Sequence, residues 1–175
     1  MTRSYRRIIT GHDAQGHSIV VSDGAAVNIA GMGGGEPSLV NFWTQGGPST
    51  DSSDERVPLH PAPGGSTFRF FRIPPERDFA HLSPEQRMSG TAAYFQNVGA
   101  GDAHIPNQRH PAFHKTHSVD YIVLLEGEVS LLVDGGDYPM KPFDVVVQRG
   151  TSHSWVNNGE ISALMMAVLI DDPEA

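Results

Sequence analysis

The downstream part of the chain is a succession of short β-prone runs, each closed by a turn. Residues 121–125, 128–133, 144–148, 154–157 and 163–170 form the runs. Glu126-Gly127, Asp134-Gly135-Gly136 and Arg149-Gly150-Thr151 form turns between them. Short strands at regular spacing with turn residues between them build an antiparallel sandwich or barrel. No helix-length periodicity alternates with these runs, which argues against a parallel α/β fold. Upstream, 7–10 and 18–21 read as a hairpin around the turn at 11–16. The small, glycine-rich stretch 25–37 reads as a connector. It lacks both the Gly-Lys-Ser/Thr ending of a phosphate-binding loop and the dinucleotide spacing. Residues 39–44 form a strand, 45–66 a loop, and 67–73 a strand ended by Pro74-Pro75. Ser83-Pro84-Glu85-Gln86 has the cap, proline and amide of a helix start, which predicts one short helix within 83–97.

Composition removes several function classes. Twenty acids against 12 bases give a net charge of −8, unsuited to a sequence-independent grip on phosphate backbones. Cysteine is absent, so disulfides, thiolate metal sites and a cysteine nucleophile are excluded. A metal site must then use His, Asp, Glu or neutral oxygens. No apolar run approaches the roughly 18 residues of a membrane helix. No apolar signal-length stretch follows Arg6-Arg7. A cytoplasmic protein without membrane or nucleic-acid partners is the expectation.

Nine histidines are present, four of them His104, His110, His114 and His117. Alternation with period two along an extended 113–125 places His114, Thr116, Ser118, Asp120, Ile122 and Leu124 on one face, and His117, Val119 and Tyr121 on the other. With His153 brought across from a neighbouring strand, the first face offers two imidazoles and a carboxylate. That set holds Fe(II) with open positions, and Mn, Ni, Co or Zn suit the same donors. The other reading is a metal-free, hydrogen-bonded polar cluster. His104 and His110 read as surface loop histidines. Glu126 and Glu128 read as exposed turn residues, and Arg149 as a solvated one.

Two stretches carry a resemblance. His114-Lys115-Thr116-His117-Ser118-Val119-Asp120-Tyr121 with Glu126-Gly127 resembles the first signature of the small cupins. Gln148-Arg149-Gly150-Thr151-Ser152-His153 with Asn157 resembles the second. Asp120 falls where the family has Glu, Thr116 on its second His and His114 on its first. Gly150, His153 and Asn157 match the second signature, and Gln148 replaces its Pro. The chain is thus similar to single-domain cupins with a His-x-Thr-x-x-x-Asp-Tyr first motif.

The resemblance implies an all-β, cupin-type antiparallel barrel (a jelly roll) with an N-terminal β arm and one short helix. Residues 1–110 would supply the arm, loops and helix, packing on the core motifs at 111–170, all within one domain, 1–175. It implies one divalent metal on His114, Asp120 and His153. A pocket would be lined by Thr116, Ile122, Leu124, Gln148 and Trp155, and His117 would move protons unless a bulge turns it onto the metal. The expected function is a metal-dependent enzyme for a small carbonyl, enol or carboxylate substrate, by dioxygenase or by lyase, isomerase or dehydratase chemistry. The alternative is a non-catalytic module that binds a small molecule. Unpaired edges are expected near the N-terminus and at 163–170, together with a homodimer whose interface includes residues 5–24.

Overall fold

The computed structural model describes residues 3–32 and 37–175. In chain order the strands are β1 (Arg6–His12), β2 (Ser18–Ala25), β3 (Asn28–Met32), β4 (Pro37–Gln45), β5 (Ser66–Ile73), β6 (Ser118–Glu126), β7 (Val129–Val133), β8 (Gly136–Met140), β9 (Val145–Arg149), β10 (Ser154–Val156) and β11 (Ala163–Asp171). The helix α1 spans Pro84–Asn97. One sheet has the order β3-β4-β5-β11-β6-β9, a second β10-β7-β8, and β1-β2 form a hairpin. All these pairings are antiparallel. The fold is the expected all-β antiparallel jelly-roll barrel with an N-terminal hairpin and one short helix. Among the described residues no helix is long and apolar enough to cross a membrane.

Four expectations about elements are corrected. The connector at 25–37 contains β3, which pairs with β4; its Gly33-Gly34-Gly35 run lies outside the described residues. Glu126-Gly127 does not fold β7 back onto β6. It carries the chain to the smaller sheet, where β7 pairs with β8 and β10. Gly127 has φ +84°, and a Cβ there would lie 2.9 Å from the Ala163 Cα, so a side chain would block the crossing. The strand at 163–170 is no edge: β11 sits between β5 and β6. Finally, β6 starts at Ser118, not 113, because 113–117 is held by isolated bridges instead of a ladder.

The core fills the space between the two larger sheets. Ile122, Leu124, Met165, Ala167 and Leu169 from one meet Val129, Met140 and Trp155 from the other. Burying each large apolar side chain contributes about 1.5–3 kcal/mol. The opposite face of β4 and β5 is also apolar. There Val40 and Phe42 pack with Phe68 and Phe70 beneath Tyr5 of the N-terminal arm. Tyr5 meets Phe70 edge-on with 5.6 Å between ring centres. With that face covered by apolar groups, β5 turns Thr67 and Arg69 inward, each 2% exposed.

Helix α1 begins in a full capping box. The Gln86 N–H donates to Ser83 Oγ at 3.3 Å, and the Ser83 N–H to Gln86 Oε1 at 2.8 Å, satisfying two otherwise unpaired donors. Phe95 anchors the helix against Leu39, Val98, Ala100 and Ala103. Glu76 ties this region to the barrel. It accepts from Arg87 of α1 and from His110 Nε2 at 3.1 Å, and His110 Nδ1 lies 2.7 Å from Ser154 Oγ. This Ser-His-Glu line is a structural strut, since Ser154 is fully buried. His110 is therefore no surface histidine, contrary to expectation.

The hydrogen bonds from His110 and Arg87 hold the Glu76 carboxyl below its ordinary value of 4.5. A depressed folded pKa adds stability that is present above 4.5 and disappears as pH falls through the folded value. Glu76→Gln is expected to lower unfolding stability by about 1 kcal/mol at pH 7. Denaturant titrations of both proteins should converge as the pH drops below that range.

Candidate functional site

His114 and His153 are joined by two backbone hydrogen bonds. The His114 N–H donates to the His153 carbonyl at 2.9 Å, and the His153 N–H to the His114 carbonyl at 3.0 Å. This reciprocal antiparallel bridge sets the imidazoles side by side, with ring centres 4.2 Å apart. Phe95 of the helix packs on the His114 ring, and Trp155 meets His153 edge-on at 5.6 Å.

Each ring is steered by a backbone carbonyl two residues before it. His114 Nδ1 lies 3.0 Å from the Ala112 oxygen, and His153 Nδ1 lies 2.9 Å from the Thr151 oxygen. A carbonyl only accepts, so both Nδ1 atoms carry the proton and both Nε2 atoms keep the lone pair. Burial disfavours the charged form, holding His114 near pKa 4 and His153 near 3. Two neutral imidazoles oriented through carbonyls are what a metal site asks of its histidines.

Asp120 lies on the inner face of β6, buried. Ser118 Oγ donates to its Oδ1 at 2.5 Å and Thr116 Oγ1 to its Oδ2 at 3.3 Å. Burial raises its pKa, opposed by those hydroxyls and by the charge of Arg69. Among the described residues, no three His, Asp or Glu side chains are gathered closely enough to enclose a metal ion. The imidazole pair offers two neutral nitrogen donors, while the carboxylate is engaged by hydroxyls.

Thr116 is buried beside Asp120, and Ile122 and Leu124 belong to the apolar core, as does Trp155. Gln148 pairs across the ladder with Asp120 and donates through Nε2 to Thr151. His117 is exposed and stacks on His60, with ring centres 5.6 Å apart. His104, expected on the surface, is half-buried. It bonds to the Pro111 carbonyl and stacks on Phe95. Asn157 is a clasp: its Nδ2 donates to the Ile73 and Ile161 carbonyls.

Two residues that sequence reasoning passed over complete the picture. His60, from the loop before β5, accepts the His117 N–H at Nδ1 and lies 3.5 Å from Asp102 through Nε2. Arg69 of β5 is buried, and its charge acts on both His60 and Asp120. Nitrogen-15 histidine NMR of the metal-free chain near neutral pH should show the Nδ1–H tautomer for His114 and His153. An Nε2–H signal from either would refute the lone-pair assignment.

A family profile described as a cupin domain matches residues 95–169. Among curated proteins, a cupin-domain-containing oxidoreductase of Aspergillus ruber, fogC, is 40% identical over 62 residues, 33% of this chain and 30% of that protein. Another from Hypocrea virens, virC, is 41% identical over 70 residues, 38% and 36% of the two chains. The match thus spans about a third of the length of these relatives. Among solved structures, the cupin domain of Schizosaccharomyces pombe Cnp3 overlaps 96% of this chain and 90% of its own, at 13% identity and TM-score 0.43. A predicted oxalate decarboxylase from Thermotoga maritima overlaps 94% and 92%, at 15% identity and TM-score 0.40.

Proposed function

We propose that this chain, whose residues 95–169 match a cupin-domain profile, is a cupin and a metal-dependent enzyme acting on a small organic molecule through a carbonyl, enol or carboxylate oxygen. The observation that carries this reading is the pair of neutral imidazoles with both Nε2 lone pairs unprotonated. His114 and His153 would hold one divalent ion, Fe, Mn, Ni, Co or Zn, and Asp120 would become the third donor only by leaving Ser118 and Thr116 and moving toward the imidazoles. Such an ion supplies Lewis acidity toward a substrate oxygen or, as iron, reactivity with O₂. The naming of relatives as oxidoreductases favours the second chemistry over lyase, isomerase or dehydratase action.

The chain's own groups have separate tasks. The carbonyls of Ala112 and Thr151 fix the two rings. Trp155, Ile122 and Leu124 keep the inner side dry. His117, exposed and stacked on His60, would exchange protons with solvent. The engagement of Asp120 by Ser118 and Thr116 favours a second reading, a module that binds a small ligand without metal.

Element analysis after dialysis separates the two. His114→Ala and His153→Ala should each lower metal affinity by at least about tenfold, while His104→Ala retains it. Asp120→Asn retaining full affinity would remove Asp120 from the ligand set. His117→Ala should keep the metal and lower turnover by about a hundredfold; metal loss there would instead make His117 a ligand. An assay with and without oxygen divides oxygenase from lyase chemistry.

We also propose a homodimer built on the N-terminal arm. Ile8, Ile19, Val20 and Val21 are between 40% and 56% exposed, and Trp43 on β4 is 43% exposed. Apolar side chains left exposed on the arm and beside it mark an association site. Light scattering should give twice 18.9 kDa for the full chain, and less, or aggregation, once residues 1–24 are deleted. A full-length monomer unaffected by the deletion would end the proposal.

A further inference from the structure

Arg69 is 2% exposed on the inner face of β5. Its Nη2 donates to the Pro58 carbonyl at 2.7 Å. Nε and Nη1 are buried and have no hydrogen-bond partner. Three N–H donors of a guanidinium are therefore left unused. A buried cation with unsatisfied donors is destabilising for the protein alone. Folded proteins retain such a group where something else completes it.

The surroundings say what that is. Arg69 pairs across the ladder with Ala167 of β11, which pairs with Ile122 of β6. Asp120 is one inward step along β6 from Ile122. The charge of Arg69 is felt at Asp120 and at His60, and that of His60 at His114. No ion pair joins Arg69 to Asp120, whose oxygens accept from Ser118 and Thr116 instead. The guanidinium thus lies on the inner face of the large sheet within electrostatic reach of Asp120 and His60, and Asp120 is committed elsewhere. Asn41, also buried on the neighbouring strand β4, pairs with Arg69 in the ladder and bonds through Nδ2 to Asn28. It brings no negative charge.

We propose that Arg69 is the anchor for a carboxylate on the small molecule this barrel accepts, so that the ligand is an organic acid held at one end by Arg69, its other end toward His114 and His153. This rests on the reading of the imidazole pair as the reactive centre, and it narrows the substrate from any oxygen-bearing molecule to an organic anion. A guanidinium suits a carboxylate because parallel N–H···O bonds match its planar oxygens. An amide or ketone of the same shape offers fewer acceptors and no charge. Arg69 would bind and orient, leaving the chemistry to other groups.

The test uses the full chain as purified, its metal content measured alongside. Thermal shift and calorimetry are run with acetate, 2-oxobutanoate, benzoate and oxalate, and with acetamide and benzamide as neutral counterparts. At least one acid should stabilise the wild-type chain, and the amides should not. Arg69→Met should weaken that acid by roughly tenfold or more. Arg69→Lys, which keeps charge without the fork, should fall between. Without ligand, Arg69→Met should melt no lower than wild type, since it removes an unsatisfied buried cation. The proposal is overturned if no acid binds, if amides bind as well as acids, or if Arg69→Met binds acids unchanged. It is equally overturned if Arg69→Met unfolds, because Arg69 would then be completed by the protein itself. Metal content should be the same in Arg69→Met and wild type. Loss of metal in His153→Ala bears on the imidazole pair, whereas acid binding in Arg69→Met bears on the anchor, so the two ideas can fail separately.

Discussion

Two backbone hydrogen bonds between His114 and His153 fasten the approach to β6 to the approach to β10. They join the six-stranded sheet to the three-stranded one at one end of the barrel. They also determine where the imidazoles sit, because an antiparallel bridge sets opposite residues side by side. Each ring is then oriented by a carbonyl of its own segment. The position of the pair is thus a property of the main chain, and no third side chain is required to hold it.

Much of this was legible in the sequence. Alternation from Thr116 to Leu124 assigned the faces correctly: Thr116, Ser118, Asp120, Ile122 and Leu124 are buried, whereas His117 and Tyr121 are exposed. The helix start was legible because Ser83 and Gln86 carry their capping geometry locally. The pairing of strands was not. Glu126-Gly127 has the composition of a hairpin turn, yet the partners of β6 are β9 and β11. Turn residues say where a chain bends and not which strand it meets next.

The faces of β5 were the harder problem. Phe68 and Phe70 alternate with Arg69, and the usual reading turns the aromatics toward the core and the cation outward. The structure does the reverse, because a second apolar layer lies outside the sheet under Tyr5. Nothing local distinguishes a strand with one wet face from one buried on both. The signal available was Tyr5 in the arm together with Phe42 on β4, which need a shared apolar partner. His60 offered no such signal, since it lies in a loop without periodicity.

The central place of β11 bears on how the chain reaches this structure. Ser66 and Ile73 of β5 pair with Ile170 and Ala163 of β11, and Ser118 of β6 pairs with Asp171. Each pairing closes a long stretch of chain, and such closures are entropically unfavourable until the contacts that reward them form. Before β11 arrives, β5 and β6 each expose an open edge flanked by apolar side chains. Assembly of the large sheet is therefore a slow step governed by one late strand, and unpaired strand edges are prone to intermolecular pairing during that interval.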